Sequence, residues 1–210
     1  AHPDWPGRSL LETNLEKTIF RNLTPTAIAT WFEDHPPRST IGAVHFGAAL
    51  VSLGEVERGH KILKESWVSG NFTKREEREF YLKHMRILDE DDHASRLERL
   101  LWDGKTHTAR RMLSRVSPTT KQLGIARIYL MERHPDVDKA IANLPKELLT
   151  EAGLIYDRVR WRRRARKDDR ARQLLFSLPD NLVHPEKWWQ EIKYQIRVSL
   201  DEGFVTDAYQ

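Results

Sequence analysis

The chain repeats itself, and the repeat constrains its fold more than any other feature. "RLERLLWDGKTHTARRML" from Arg96, "RIYLMERHPDVDKAIANL" from Arg127 and "RVRWRRRARKDDRARQLL" from Arg158 begin 31 residues apart. Each opens on arginine, carries an alanine 13 positions on (Ala109, Ala140, Ala171) and a leucine 17 positions on (Leu113, Leu144, Leu175). Apolar residues recur at spacings of three and four, the period of a helix face, while the alternation of a half-buried strand is nearly absent. Each copy therefore reads as two helices joined by a short turn. The alanine lets the second helix approach the first, and the leucine fills the next turn of the same face. An earlier segment, "FGAALVSLGEVERGHKIL", keeps the register with Phe46, Gly59 and Leu63, and "RVSLDEGFVTDAYQ" opens a further copy at Arg197 with a shorter turn. One such pair cannot bury its apolar side alone, so neighbours must stack. The expectation is an all-α solenoid of short antiparallel helix hairpins, one domain over 1–210. A solenoid normally closes with a polar capping helix, so the copy that stops at "DAYQ" suggests a piece of a longer protein.

Start and stop signals place helices near 9–22, 25–34, 40–53, 55–69, 74–88, 92–102, 105–115, 119–133, 136–143, 153–166, 169–177 and 185–202, with another from 204. Thr24 before Pro25 reads as an N-cap, and Thr73 with Glu76 has capping-box spacing. Gly54, Gly70, Gly104 and Gly203 each follow a periodic segment, where a left-handed residue ends a helix.

Charged residues make up 31% of the chain, above the roughly 25% usual for globular domains, so much of the surface is solvated helix face. The net charge is +4, yet 31 acids accompany 35 bases, so polyanion binding is permitted and not required. Without cysteine, disulfides, thiolate metal sites and cysteine nucleophiles are excluded. No stretch approaches the ~18 apolar residues of a membrane span, and the opening residues are not those of a signal peptide.

"RVRWRRRARK", Arg158 to Lys167, is the densest run of charge. On a helical wheel its apolar side centres near Arg158 and Arg162, with Trp161 beside them, while Arg160, Arg163, Arg164 and Lys167 fall outward as a solvated face. Arginine on an apolar stripe must find carboxylates or carbonyls, and Arg158 shares its repeat position with Arg96 and Arg127. A structural bridge between stacked helix pairs is therefore expected, with Asp103, Asp136, Asp138, Asp168 and Asp169 as partners. If this face binds a glycan or polyanion, Arg158, Trp161 and Arg162 are the contacts to test.

Nine histidines form no i, i+4 pair and no HExxH, and His45 and His84 read as core or boundary residues. "DEDDH", Asp89 to His93, lacks calcium-loop spacing, so Asp91 or Asp92 is expected to cap the following helix. Trp188 and Trp189 point about 100° apart on a helix, so one of them packs in the core. No residue is assigned a catalytic, cofactor-binding or metal-binding role, and no cofactor is expected.

The segments "HPDWPGRSLL", "TIGAVHFGAALVSLGEVERGHKILKESWVSGNF", "RLERLLWDGKTHTARRML", "LGIARIYL", "GLIYDRVRWRRRA" and "HPEKWWQEIKYQIRVSL" together resemble the N-terminal superhelical region of the soluble lytic murein transglycosylases. The resemblance implies a right-handed superhelix forming part of a ring-shaped domain of a periplasmic lyase. In that family a separate lysozyme-like domain cleaves the MurNAc–GlcNAc bond of peptidoglycan to a 1,6-anhydro sugar, one glutamate serving as acid and then base. The family's catalytic glutamate precedes a serine, with a Gly-Leu-Met-Gln stretch further on. Glu65-Ser66 matches the pair but continues with Trp67 and has no such stretch downstream, so no catalytic residue carries over.

The implied function is a non-catalytic scaffold whose parent enzyme cleaves murein. Its partners would be peptidoglycan strands and other cell-wall enzymes, with no nucleic acid. The competing class is a tetratricopeptide-like adaptor, or a basic nucleic-acid-binding module using Arg160, Arg163, Arg164 and Lys167. The 31-residue period falls short of the ~34 residues of tetratricopeptide repeats.

Overall fold

The computed structural model describes residues 8–18, 22–176, 178 and 182–209. Among the described residues the chain is all-helical: α1 (Arg8–Thr18), α2 (Pro25–Asp34), α3 (Thr40–Ser52), α4 (Val56–Ser69), α5 (Lys74–His84), α6 (Glu90–Trp102), α7 (Thr106–Met112), α8 (Pro118–Glu132), α9 (Val137–Ala142), α10 (Ala152–Arg164), α11 (Asp168–Leu175), α12 (Pro185–Asp201) and α13 (Val205–Tyr209). Short 3-10 turns lie at Met85–Ile87 and Lys146–Thr150, the second where no element was anticipated. The stretch 19–22, expected to continue the first helix, lies outside the described residues apart from Asn22. No described helix is long and apolar enough to cross a membrane.

Caps account for the helix starts. Thr24 accepts the Ala27 N–H at 3.3 Å, Ser39 that of Gly42 at 3.0 Å, and Thr73 and Glu76 form the reciprocal capping box. The start of α6 corrects an expectation: the cap is Asp89, which accepts from Asp92 N–H at 2.9 Å while Asp92 accepts from Asp89 N–H at 3.0 Å. Asp91 and Asp92 instead fill the first turn, where the helix dipole favours acids.

One turn recurs. After α3, α6, α8, α10 and α12 the chain passes through a left-handed residue (Gly54, Gly104, Arg133, Arg166, Gly203), and the next N–H returns to a carbonyl of the last helical turn. Those bonds, Glu55 to Leu50, Lys105 to Leu100, His134 to Tyr129, Lys167 to Arg162 and Phe204 to Ser199, are 2.8–3.0 Å long. This satisfies the orphan carbonyls in the Schellman manner, and twice the chain accepts the strain of a left-handed arginine to keep it. Gly70 departs from expectation: it ends α4 with extended backbone, φ −76° and ψ 148°, and side chains satisfy its carbonyl instead.

The chain forms two compact units, 1–99 and 100–210. In the first, α3 packs on α2 and α4. Gly47 and Gly59 permit the α3–α4 approach, since a β-carbon on Gly59 would stand 2.6 Å from the Gly47 carbonyl. Phe46, Leu50 and Leu63 are buried around that contact. In the second unit α8 packs on α7, α9 and α10, and α10 on α11 and α12. Ala109 and Ala171 are fully buried and Leu144 buried, whereas Ala140, Leu113 and Leu175 are half-buried. Beside Leu113, Met112 takes the fully buried place.

The repeat-position arginines Arg96 and Arg127 have no exposed surface. Arg96 donates to the Trp67 and Gly70 carbonyls at the end of α4, pairs with Glu77 at 3.2 Å and lies 4.4 Å over the Trp67 ring. Arg99 adds bonds to the Val68 and Gly70 carbonyls, so two guanidiniums close one helix end. Arg127 pairs with Asp157 at 2.8 Å, lies 5.3 Å from the Trp102 ring and rests on the backbone of Gly153. The carboxylates that meet them here, Glu77 and Asp157, are not among the expected Asp103, Asp136, Asp138, Asp168 and Asp169.

A β-carbon at Gly153 would fall inside the Arg127 guanidinium. Gly153→Ala is therefore predicted to lower unfolding free energy by about 3 kcal/mol in urea titrations, through crowding and displacement of a buried ion pair. Gly104→Ala meets open space and is predicted to lose about 1–2 kcal/mol from its left-handed backbone alone. Equal losses would mean that Arg127 is not held there.

Candidate arginine face on helix α10

Helix α10 is positioned by two apolar clusters on different sides. Leu154 joins Ala126, Leu130, Val137 and Leu144, with Trp161 packed against them. Ile155, Tyr156 and Val159 join Trp102, Ala171 and Trp188. Arg158 and Arg162 lie between these sides, at the centre of the apolar stripe on the wheel, yet that centre is a gap between packing partners. Both are half-buried.

The structure thus reverses the expected roles within the basic run. Among the described residues Arg158 makes no hydrogen bond or ion pair, and burial alone pushes its guanidinium below the ordinary arginine range. Arg162 is pushed down by burial first and then by the charges of Arg158 and Arg170, and its Nη1 donates to the Arg170 carbonyl at 2.6 Å. Arginine stays protonated under such shifts, so they report positive charge held without compensation. Trp161 offers no open platform: it packs on the α8–α9 cluster, with the Lys167 ammonium 5.4 Å from its ring centre.

The side expected to be solvated is instead half structural. Arg163 grips the buried Glu191 of α12 through two bonds of 2.6 and 3.1 Å, and Glu191 holds its guanidinium above the ordinary range. Arg160 lies 3.7 Å from the same carboxylate and 5.4 Å from the Tyr156 ring. Of the outward four, Arg164 and Lys167 are exposed. Burial, Arg160 and Arg163 push Arg164 below the ordinary range.

The bridging role expected of Arg158 falls to Arg127 and to a residue that is not one of the matched repeat positions. Arg172, buried on α11, bonds Ser199 at 2.6 Å and Asp169 at 2.5 Å and lies 4.9 Å from the Phe204 ring. Asp169 is one of the acidic partners expected from the sequence. Spacing explains why Arg158 is left over. One period beyond Asp157, the carboxylate that neutralises Arg127, the chain carries Trp188, which is fully buried; Trp189 beside it is 56% exposed.

Among the described residues no group of three His, Asp or Glu side chains is arranged to hold a metal. Compared with protein-family models, curated proteins and solved structures, the chain matches none.

Two predictions follow from the charges. Arg158→Gln, which removes a repelling and unpaired cation, should leave unfolding free energy within about 0.5 kcal/mol of the parent or raise it. The melting temperature should also gain less from added phosphate than the parent's does; a large loss of stability in this variant would reveal a hidden partner.

Elsewhere, burial first, then Lys83 and His60, push the His84 imidazole down from 6.5 to about 4. The unfolded chain then binds a proton near pH 6.5 that the folded chain refuses until about pH 4. Stability should therefore fall as pH drops through that window, and the decline should lessen in His84→Gln, as read by urea midpoints at pH 7 and pH 5.

Proposed function

We propose that this chain is the non-catalytic helical scaffold of a periplasmic soluble lytic transglycosylase. In this reading its helix pairs stack as antiparallel hairpins into a right-handed superhelix that forms part of a ring and holds peptidoglycan strands for a catalytic domain elsewhere. The observation that carries the reading is the uncompensated charge of Arg158, Arg162 and Arg170. Muramyl peptides bear carboxylates, and a half-buried guanidinium without an internal acid gains more from such a ligand than a paired one.

The buried carboxylates support the same division of labour. Glu16 accepts from the Arg38 and Ser39 N–H groups at 2.8 and 2.7 Å, while Glu77, Asp157 and Glu191 face Arg96, Arg127 and Arg163. Each is committed to holding helices together, so proton transfer to a glycosidic oxygen belongs to the partner domain. The nucleic-acid alternative loses two of its four cations, Arg160 and Arg163, to Glu191.

The test is co-sedimentation with purified peptidoglycan sacculi, with soluble products analysed in parallel. The chain should pellet with sacculi, release no 1,6-anhydro-muropeptides, and be lost from the pellet in Arg158→Gln/Arg162→Gln or when salt rises from about 0.05 to about 0.3 M. Anhydro product from this chain alone, or pelleting indifferent to both charge and salt, would overturn the proposal.

A further inference from the structure

In the 1–99 unit, a cleft of about 250 Å³ opens between α1, α3 and α5. Its floor is apolar: Ile41, Val44 and Ala48 from α3, with Phe72 and Phe80 opposite. Its rim is charged, but the charges are unequal in what they are free to do. Glu76 is committed to the capping box, accepting the Thr73 N–H at 2.7 Å, and Glu79 accepts from Arg75 Nε at 2.7 Å. Lys17 and Lys83 are exposed and make no hydrogen bond or ion pair among the described residues. At the same rim His84 packs against Phe80 with ring centres 4.8 Å apart and the planes tilted by 47°, and its Nε2 is buried without a hydrogen-bond partner.

We propose that this cleft binds a small monoanionic amphiphile, its apolar part on the Ile41–Phe80 floor and its carboxylate between Lys17 and Lys83. Glu79 is offset by Arg75, and Glu76, still an anion in its capping box, offsets one of the two lysines, so the rim keeps a net positive charge beside an apolar hollow. A carboxylate carried on a short hydrocarbon matches both at once, whereas an ammonium of the same length meets two like charges. The volume sits just below the roughly 300–1,000 Å³ of ordinary ligand pockets, which suits one short chain and excludes a two-chain lipid. The site lies in a different unit from the α10 arginines and does not rest on the reading proposed for them.

The probe is octanoate, titrated into the full chain while backbone amide resonances are recorded, with octylammonium and acetate as comparisons. Octanoate should produce saturable shifts confined to α1, α3 and α5, with acetate producing none and octylammonium binding at least about tenfold more weakly. Lys17→Glu/Lys83→Glu, on exposed positions that leave the fold intact, should weaken octanoate by about tenfold, and Ala48→Trp should abolish it by filling the floor. Absence of saturation up to about 10 mM octanoate, equal affinity for octylammonium, or shifts scattered over both units would overturn the proposal. Should Ala48→Trp fail to fold, the charge-reversal pair decides the matter.

Discussion

The structure depends on guanidinium groups held away from water. Arg96 and Arg127 each sit fully buried over a tryptophan, each opposite a buried carboxylate, and each against the backbone of a neighbouring element. Helices this short bury little core of their own, so the contacts between neighbouring helices must supply what a larger core would otherwise supply. Arginine suits the junction because its planar fork reaches several acceptors at once. At the end of α4, Arg96 and Arg99 together occupy the Trp67, Val68 and Gly70 carbonyls, which would otherwise be orphaned. The same chemistry serves α12 through Arg163 and Glu191, and α11 through Arg172 and Ser199.

Against that background Arg158 is informative because it breaks the pattern. It has the repeat position and the half-burial, but its register carries Trp188 where Arg127 finds Asp157. The charge is left in place beside Arg162 and Arg170 without an acid. A protein that neutralises its buried cations so consistently elsewhere, and leaves this group open, has a surface suited to an acidic ligand. That contrast within one helix links the packing to the proposed scaffold role.

Much of the fold was legible in the sequence because helical period, caps and turn glycines are local signals. Thr24 and Thr73 cap where their side chains and spacing suggest, and Gly54, Gly104 and Gly203 turn left-handed. The misses have a common cause, namely that their determinants are distant in sequence. Nothing near Gly70 announces that its carbonyl is taken by side chains from α6, so it reads as an ordinary left-handed stop. A single helical wheel assumes one buried face, whereas α10 packs on two sides and leaves the mean direction open. Asp157, within the buried run of α10, reads as an incidental acid until Arg127 is placed opposite it. The left-handed Arg133 and Arg166 carry no glycine to mark their turns, although the 31-residue register places Arg166 two periods after Gly104.

The claim that buried arginine–carboxylate pairs hold the junctions is tested most directly by a double-mutant cycle on Arg127 and Asp157, followed by urea unfolding. Arg127→Met and Asp157→Leu should each lower stability by about 3–5 kcal/mol, because each strands a buried charge. The double variant should recover much of that loss, giving a coupling of about 2 kcal/mol or more. Losses that simply add, to within about 0.5 kcal/mol, would mean that the pair is incidental and that the helices are joined by apolar packing alone.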